Sequence, residues 1–132
     1  MKLGRTGEAI AKEYFESLGF EIVAENYRFE RAETDLIVKD ERNRVLVFVE
    51  VKTRRNKNFG EPQESITPKK QQQMVKSAEG FLMMTPGYEN YEKRFDVAAI
   101  MIADGKATIV HSFPTRRSSD LNTLSLHDAL PI

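Results

Sequence analysis

The sequence predicts an α/β domain, a central mixed sheet flanked by helices. Three observations predict it. Two stretches with helical periodicity are separated by apolar runs of strand length. The runs Val45–Val49 and Phe95–Ala103 lack polar alternation, as expected of central strands buried on both faces. A helical stretch lies between those two runs, giving room for a parallel crossover, whereas the earlier strands are joined by short turns.

Each element follows from its residues. Thr6 to Leu18 reads as a helix, with Ile10, Tyr14, Phe15 and Leu18 on one stripe and Gly19 as a stop. Phe20 to Phe29 is rich in strand formers, Glu33 to Lys39 is a second strand and Arg44 to Arg54 a third, with Asp40 to Asn43 as the hairpin turn. Arg55 to Gln63 is polar and contains Gly and Pro, so it reads as a loop. Thr67-Pro68 opens the second helix with an N-cap and a first-turn proline, and Met74, Val75, Ala78, Phe81 and Leu82 form its apolar face. Thr85 to Glu92 reads as a loop before the fourth strand, Phe95 to Ala103, and Asp104-Gly105 is a hairpin signal leading into Lys106 to Val110.

A chain of 132 residues suits one domain. It has no cysteine, no signal-peptide pattern and no apolar run of the roughly 20 residues that span a bilayer, so a cytoplasmic protein without a membrane partner is expected. The 20 basic and 20 acidic residues cancel, which leaves room for a local basic patch but not for a uniformly basic surface. The last stretch is compositionally foreign. His111 to Leu121 and Thr123 to Ile132 are translations of one common sequencing-library adapter in two successive frames. The expected organisation is a domain over 1–110, interrupted at its C-terminus, and a non-native tail over 111–132. His111 and His127 are the only histidines, so the domain so bounded has neither histidine nor cysteine. Ser-His and Cys-His nucleophiles and His-ligated zinc are thereby excluded.

The remaining chemistry lies in carboxylates and lysines. Glu50-Val51-Lys52 closes the apolar run Val45–Val49, and residues i and i+2 of a strand share a face. A two-residue turn at Arg42-Asn43 sets Asp35 opposite Glu50, with β-carbons about 4.5–5.5 Å apart. Opposed carboxylates repel unless something binds between them, and a hard divalent cation meets that need. Magnesium takes oxygen ligands, uses one or two carboxylates and keeps places for water and phosphate. Lys52 then stands one pleat beyond Glu50, where it can orient a water and offset charge on phosphorane oxygens. Glu8, in the first turn of the first helix, is either a third ligand or a favourable N-terminal charge worth under about 1 kcal/mol. Lys52, Arg54, Arg55 and Lys57 continue from this site, and Lys69 and Lys70 occupy the first turn of the second helix. Cations there oppose the helix dipole, a placement that serves phosphate binding better than stability.

At these residues the chain resembles the YraN family of small bacterial proteins, itself similar to archaeal-type Holliday junction resolvases of the PD-(D/E)xK nuclease superfamily. The matching pieces are Gly7-Glu8-Ala9, Asn26-Tyr27-Arg28, Glu33-Thr34-Asp35-Leu36-Ile37, Phe48-Val49-Glu50-Val51-Lys52-Thr53-Arg54, Phe59-Gly60, Lys69-Lys70 and Arg94-Phe95-Asp96-Val97. The resemblance implies a restriction-endonuclease-like αβββαβ core, with Glu8, Asp35 and Glu50 as ligands of Mg2+ or Mn2+ and Lys52 as the catalytic lysine. Arg54, Arg55, Lys57, Lys69 and Lys70 are expected to hold DNA. The implied function is endonucleolytic hydrolysis of DNA, with branched DNA in recombination or repair as the substrate class and a homodimer as the assembly. Two positions depart from the resemblance: Ala32 stands where the family usually has glycine, and Thr34 where the superfamily name expects proline. Asp96 reads from the residues as a strand-start cap. The alternatives are a nucleic-acid-binding adaptor without catalysis on the same fold, and a phosphate-processing enzyme acting on a nucleotide.

Overall fold

The computed structural model describes residues 6–54 and 67–112. Thr6 caps helix α1 (Gly7–Ser17): its backbone is extended and its Oγ1 accepts from the Ala9 amide at 3.0 Å. The buried stripe runs through Gly7, Ala11 and Phe15, at i, i+4 spacing. Leu18, expected on that stripe, is the C-cap and is 51% exposed. The chain leaves the helix axis there, through Gly19 at φ +94°.

Strands β1 (Glu21–Phe29), β2 (Ala32–Asp40) and β3 (Val45–Arg54) follow as antiparallel neighbours. Helix α2 (Pro68–Met84) precedes β4 (Glu92–Ala103), which lies parallel to β3, and β5 (Lys106–Ser112) returns antiparallel. The sheet order is β1-β2-β3-β4-β5. The expected mixed α/β architecture is the observed one, and its element order is consistent with a restriction-endonuclease-like core. Among the described residues no helix is long and apolar enough to cross a membrane.

Alternation along β3 and β4 divides the core. Leu46, Phe48, Phe95 and Val97 pack with Met74, Val75, Ala78 and Phe81 of α2. Val47, Val49, Ala98 and Ile100 pack with Ala11 and Phe15 of α1 on the other face. Phe15, Phe48 and Phe95 are fully buried, each side chain contributing roughly 1.5–3 kcal/mol relative to exposure. Two close approaches fix the helices. A β-carbon on Gly7 would stand 2.0 Å from Thr53 Oγ1, and one on Gly80 would stand 2.1 Å from the Phe29 ring. Glycine at both places lets backbone meet side chain.

The β2–β3 register has the expected sum, pairing Leu36 with Val49, Ile37 with Phe48 and Asp40 with Val45. The turn is longer than expected. The strands stop at Asp40 and Val45, and four residues cross between them. Asp40 closes this turn by accepting from the Asn43 amide at 3.2 Å and from Asn43 Nδ2 at 2.7 Å, while Arg44 takes φ +57°. β4 begins three residues before the expected Phe95, because the Glu92 amide donates to Arg44 O at 2.8 Å and extends the parallel ladder.

Asp96 is therefore no strand-start cap. It lies inside β4, fully buried, and accepts from Arg94 Nε and Nη2 at 2.8 and 2.9 Å. β5 runs two residues past the expected Val110, and the His111 ring lies 2.7 Å from Asp96 Oδ2 and 3.0 Å from the Tyr14 hydroxyl. The loop expected over Arg55 to Gln63 and the rest of the tail, residues 113–132, lie outside the described residues.

Candidate active site

β2 and β3 part company at the acidic residues. Their paired register reaches Leu36 and Val49, and beyond it the Val51 amide donates to Asp35 Oδ2 at 2.7 Å. A side-chain carboxylate thus takes a donor that a ladder carbonyl would otherwise satisfy. Across from Asp35, β1 is irregular as well. Asn26, between the pairs Glu25–Leu36 and Tyr27–Thr34, has φ +52°, a conformation asparagine tolerates better than most residues. Ala24 and Tyr27, three apart, both pack toward α2, so the side-chain alternation changes phase across from Asp35. Asn26 belongs to the matching piece Asn26-Tyr27-Arg28, which does not reveal this role. Its only local signal is an asparagine within a strand.

Glu50 follows Val49 on the α2 side of β3 and is 4% exposed. Its Oε2 lies 3.4 Å from Lys70 Nζ, and no donor among the described residues reaches its Oε1. Burial and then the Asp35 charge push the Glu50 carboxyl up to about 7, against the pull of Lys70 and Lys52. Burial also raises the Asp35 carboxyl, opposed by the Val51 amide and Lys70. The pair is a site of concentrated negative charge, incompletely compensated.

Three local features hold it in place. Thr34 bonds the Ser77 hydroxyl of α2, both residues being buried, and Ser77 donates in turn to Met74 O at 3.2 Å. Thr34 thereby ties β2 to α2 beside Asp35. Thr67 Oγ1 accepts from the Lys70 amide at 3.1 Å and Pro68 opens α2, which fixes the turn that carries Lys70. The Gly7–Thr53 approach sets the first turn of α1, with Glu8, against the end of β3.

The expected residues are gathered unequally. Lys70 contacts Glu50, and the charges of Asp35, Lys70 and Lys52 all act on the Glu50 carboxyl. Glu8 is exposed; burial and then the charges of Asp35, Glu33 and Glu25 raise its carboxyl. Among the described residues no three acidic or histidine side chains are arranged to hold a metal ion. Arg54 is half-buried and bonds Thr53 O at 3.2 Å, and Lys69 is exposed. Arg55 and Lys57 lie outside the described residues. Lys70, expected at the phosphate-holding surface, is the cation found in contact with the acidic pair.

The donor set suits a hard divalent cation. It offers two carboxylates from adjacent strands, one oxygen with no donor, and raised proton affinities that a dication would relieve. By contrast Asp96, buried on the other face, has its oxygens satisfied by Arg94 and His111.

Comparison with known proteins gives the same relatives throughout the domain. The family model described as "Uncharacterised protein family UPF0102" matches residues 7–100. A UPF0102 protein of Chlorobium phaeobacteroides is 41% identical over 104 residues, covering 79% of this chain and 80% of its own length. One from Syntrophomonas wolfei is 40% identical over 110 residues, covering 83% and 93%, and one from Geotalea daltonii is 45% identical over 102 residues, covering 77% and 78%.

Proposed function

We propose, from the premise that this chain belongs to the uncharacterised protein family UPF0102, that it is a metal-dependent endonuclease hydrolysing DNA phosphodiester bonds. The observation that carries the reading is the acidic pair, half-buried Asp35 and buried Glu50, at the parting of two strands with Glu50 Oε1 lacking a donor among the described residues. A buried carboxylate beside a second acid is a poor structural device, costing several kcal/mol unless neutralised.

In this reading Asp35 and Glu50 hold Mg2+ or Mn2+, with Glu8 as a further oxygen from α1. The ion supplies Lewis acidity toward the phosphodiester and neutralises its charge. Lys52, on the Glu50 face of β3, orients the attacking water and faces the phosphorane oxygens as their charge builds. Water oxygen bonds to phosphorus, one P–O ester bond breaks, and the departing sugar oxygen takes a proton. The products are a phosphate monoester and a hydroxyl. Arg54 and Lys69, with Arg55 and Lys57, bind the DNA backbone in this reading. Branched DNA and a homodimer belong to the same proposal, by likeness to resolvases.

The test is cleavage of labelled single-stranded, duplex, flap and four-way-junction DNA with Mg2+ or Mn2+. Wild type is expected to cut at least one of these, with Asp35→Asn and Lys52→Ala each reducing the rate by roughly 10²–10⁴-fold. A second reading, a nucleic-acid-binding adaptor on the same fold, is favoured by the lack of a third converging acid among the described residues. Binding of these DNAs without cleavage under any metal, and unchanged in Lys52→Ala, would select it.

A further inference from the structure

Among the described residues, the two buried acidic side chains, Asp96 and Glu50, are finished differently. Asp96 has a two-pronged arginine at 2.8 and 2.9 Å and an imidazole at 2.7 Å. Glu50, equally enclosed, has one lysine at 3.4 Å on one oxygen and no donor on the other. The first arrangement is a permanent pair. The second is a loose contact made by a group free to leave, since the Lys70 side chain is 28% exposed while that of Glu50 is 5% exposed.

Lys70 is also held where a structural cation is least useful. The N-cap bond from the Lys70 amide to Thr67 Oγ1 fixes its backbone in the first turn of α2, and a positive charge there opposes the helix dipole. The ammonium can move on its four-carbon stem without disturbing the helix, between the Glu50 carboxylate and the solvent edge where the α2 amides face outward. At that edge it would meet a phosphate and the helix N-terminus together.

We propose that Lys70 is the resident counter-ion of the acidic pair: it holds Glu50 until a divalent cation enters, and then transfers to a backbone phosphate of the nucleic acid. This rests on the cation-dependent nuclease reading and deepens it. Cation and phosphate are then taken up in a linked way, because each favours the position of Lys70 that admits the other. Lys70 is a positioning residue here, and its exchange between two anions is its function.

Two binding measurements on the full chain separate this from a fixed ion pair. Mn2+ is titrated calorimetrically into wild type and Lys70→Gln without DNA. A cleavage-resistant phosphorothioate duplex is titrated into both with EDTA and with Mn2+. Loss of the competitor is expected to tighten Mn2+ binding about fivefold or more. Duplex affinity is expected to match wild type in EDTA, where Lys70 is occupied by Glu50, and to fall about fivefold in Mn2+. Lys70→Arg keeps the competing charge and is expected to bind Mn2+ no more tightly than wild type. It also carries the test should Lys70→Gln fail to fold: tighter binding in Lys70→Arg would overturn the proposal. Mn2+ binding by wild type with equal or weaker binding by Lys70→Gln would overturn the exchange and leave the nuclease reading standing. Absence of Mn2+ binding in wild type and variant alike would overturn both.

Discussion

Asp35 Oδ2 accepts from the backbone amide of Val51 at 2.7 Å, so the residue read as a metal ligand is also a rung between β2 and β3. Its Oδ2 closes the sheet where the ladder ends, while its charge acts on the Glu50 carboxyl. Structure and charge at this point are therefore separable by substitution.

Asp35→Asn keeps an oxygen for the Val51 amide and removes a like charge beside Glu50. It is expected to be as stable as wild type or more so. Asp35→Ala leaves the amide without its partner and is expected to lose roughly 1–2 kcal/mol. Urea unfolding distinguishes them, and both variants should be equally inactive in the DNA cleavage assay.

The fold is expected to weaken as pH rises. Glu50 has an ordinary value of 4.5 and is held at about 7 in the folded protein, so between those values the folded state keeps a proton that the unfolded state has lost. Stability from this group is fully present below about 4.5 and is lost as pH rises through about 7. The loss is on the order of 3 kcal/mol, and the raised Asp35 carboxyl adds to it in the same direction. Denaturant titrations of cation-free protein at pH 5 and pH 8 should show it, and Glu50→Gln should flatten the dependence.

The hydroxyl tie between Thr34 and Ser77 is expected to be cooperative. Thr34→Val alone should cost roughly 1–2 kcal/mol, because it strands part of a buried polar group. Combined with Ser77→Ala the cost should be less than the sum of the singles. A double-mutant cycle by chemical denaturation measures the difference.

Gly7→Ala places a methyl 2.0 Å from Thr53 Oγ1. Relief requires Thr53 to rotate or α1 to lift, at roughly 1–3 kcal/mol. Adding Thr53→Ala should restore most of the lost melting temperature, which identifies the clash as the cause.

Periodicity and turn chemistry made most of the fold legible. The unbroken run Val45–Val49 marks a strand buried on both faces, Thr67-Pro68 marks a helix start, and a helix between β3 and β4 marks the parallel crossover. The β2–β3 register was readable although the turn was not, since lengthening the loop from two residues to four left the pairs from Leu36–Val49 to Asp40–Val45 in the expected sum, while the expected Asp35–Glu50 pair lies beyond the end of the ladder. Asp96 was misread because a lone aspartate near the start of an apolar run looks like a cap, and only the parallel ladder from Glu92 shows that the strand begins earlier. The contact of Lys70 with Glu50 joins residues 20 apart in sequence through the packing of α2 on the sheet, and no local pattern records such a meeting. The phase change at Asn26 depends on one backbone angle, which composition and spacing do not carry.

The central claim is that Asp35 and Glu50 form a cation site. Crystals of the full chain grown with Mn2+, examined for anomalous scattering, test it most directly. The account predicts a peak bonded to both carboxylates, with Lys70 Nζ moved away from Glu50. Crystals in which Lys70 remains on Glu50 and no peak touches either carboxylate would contradict it.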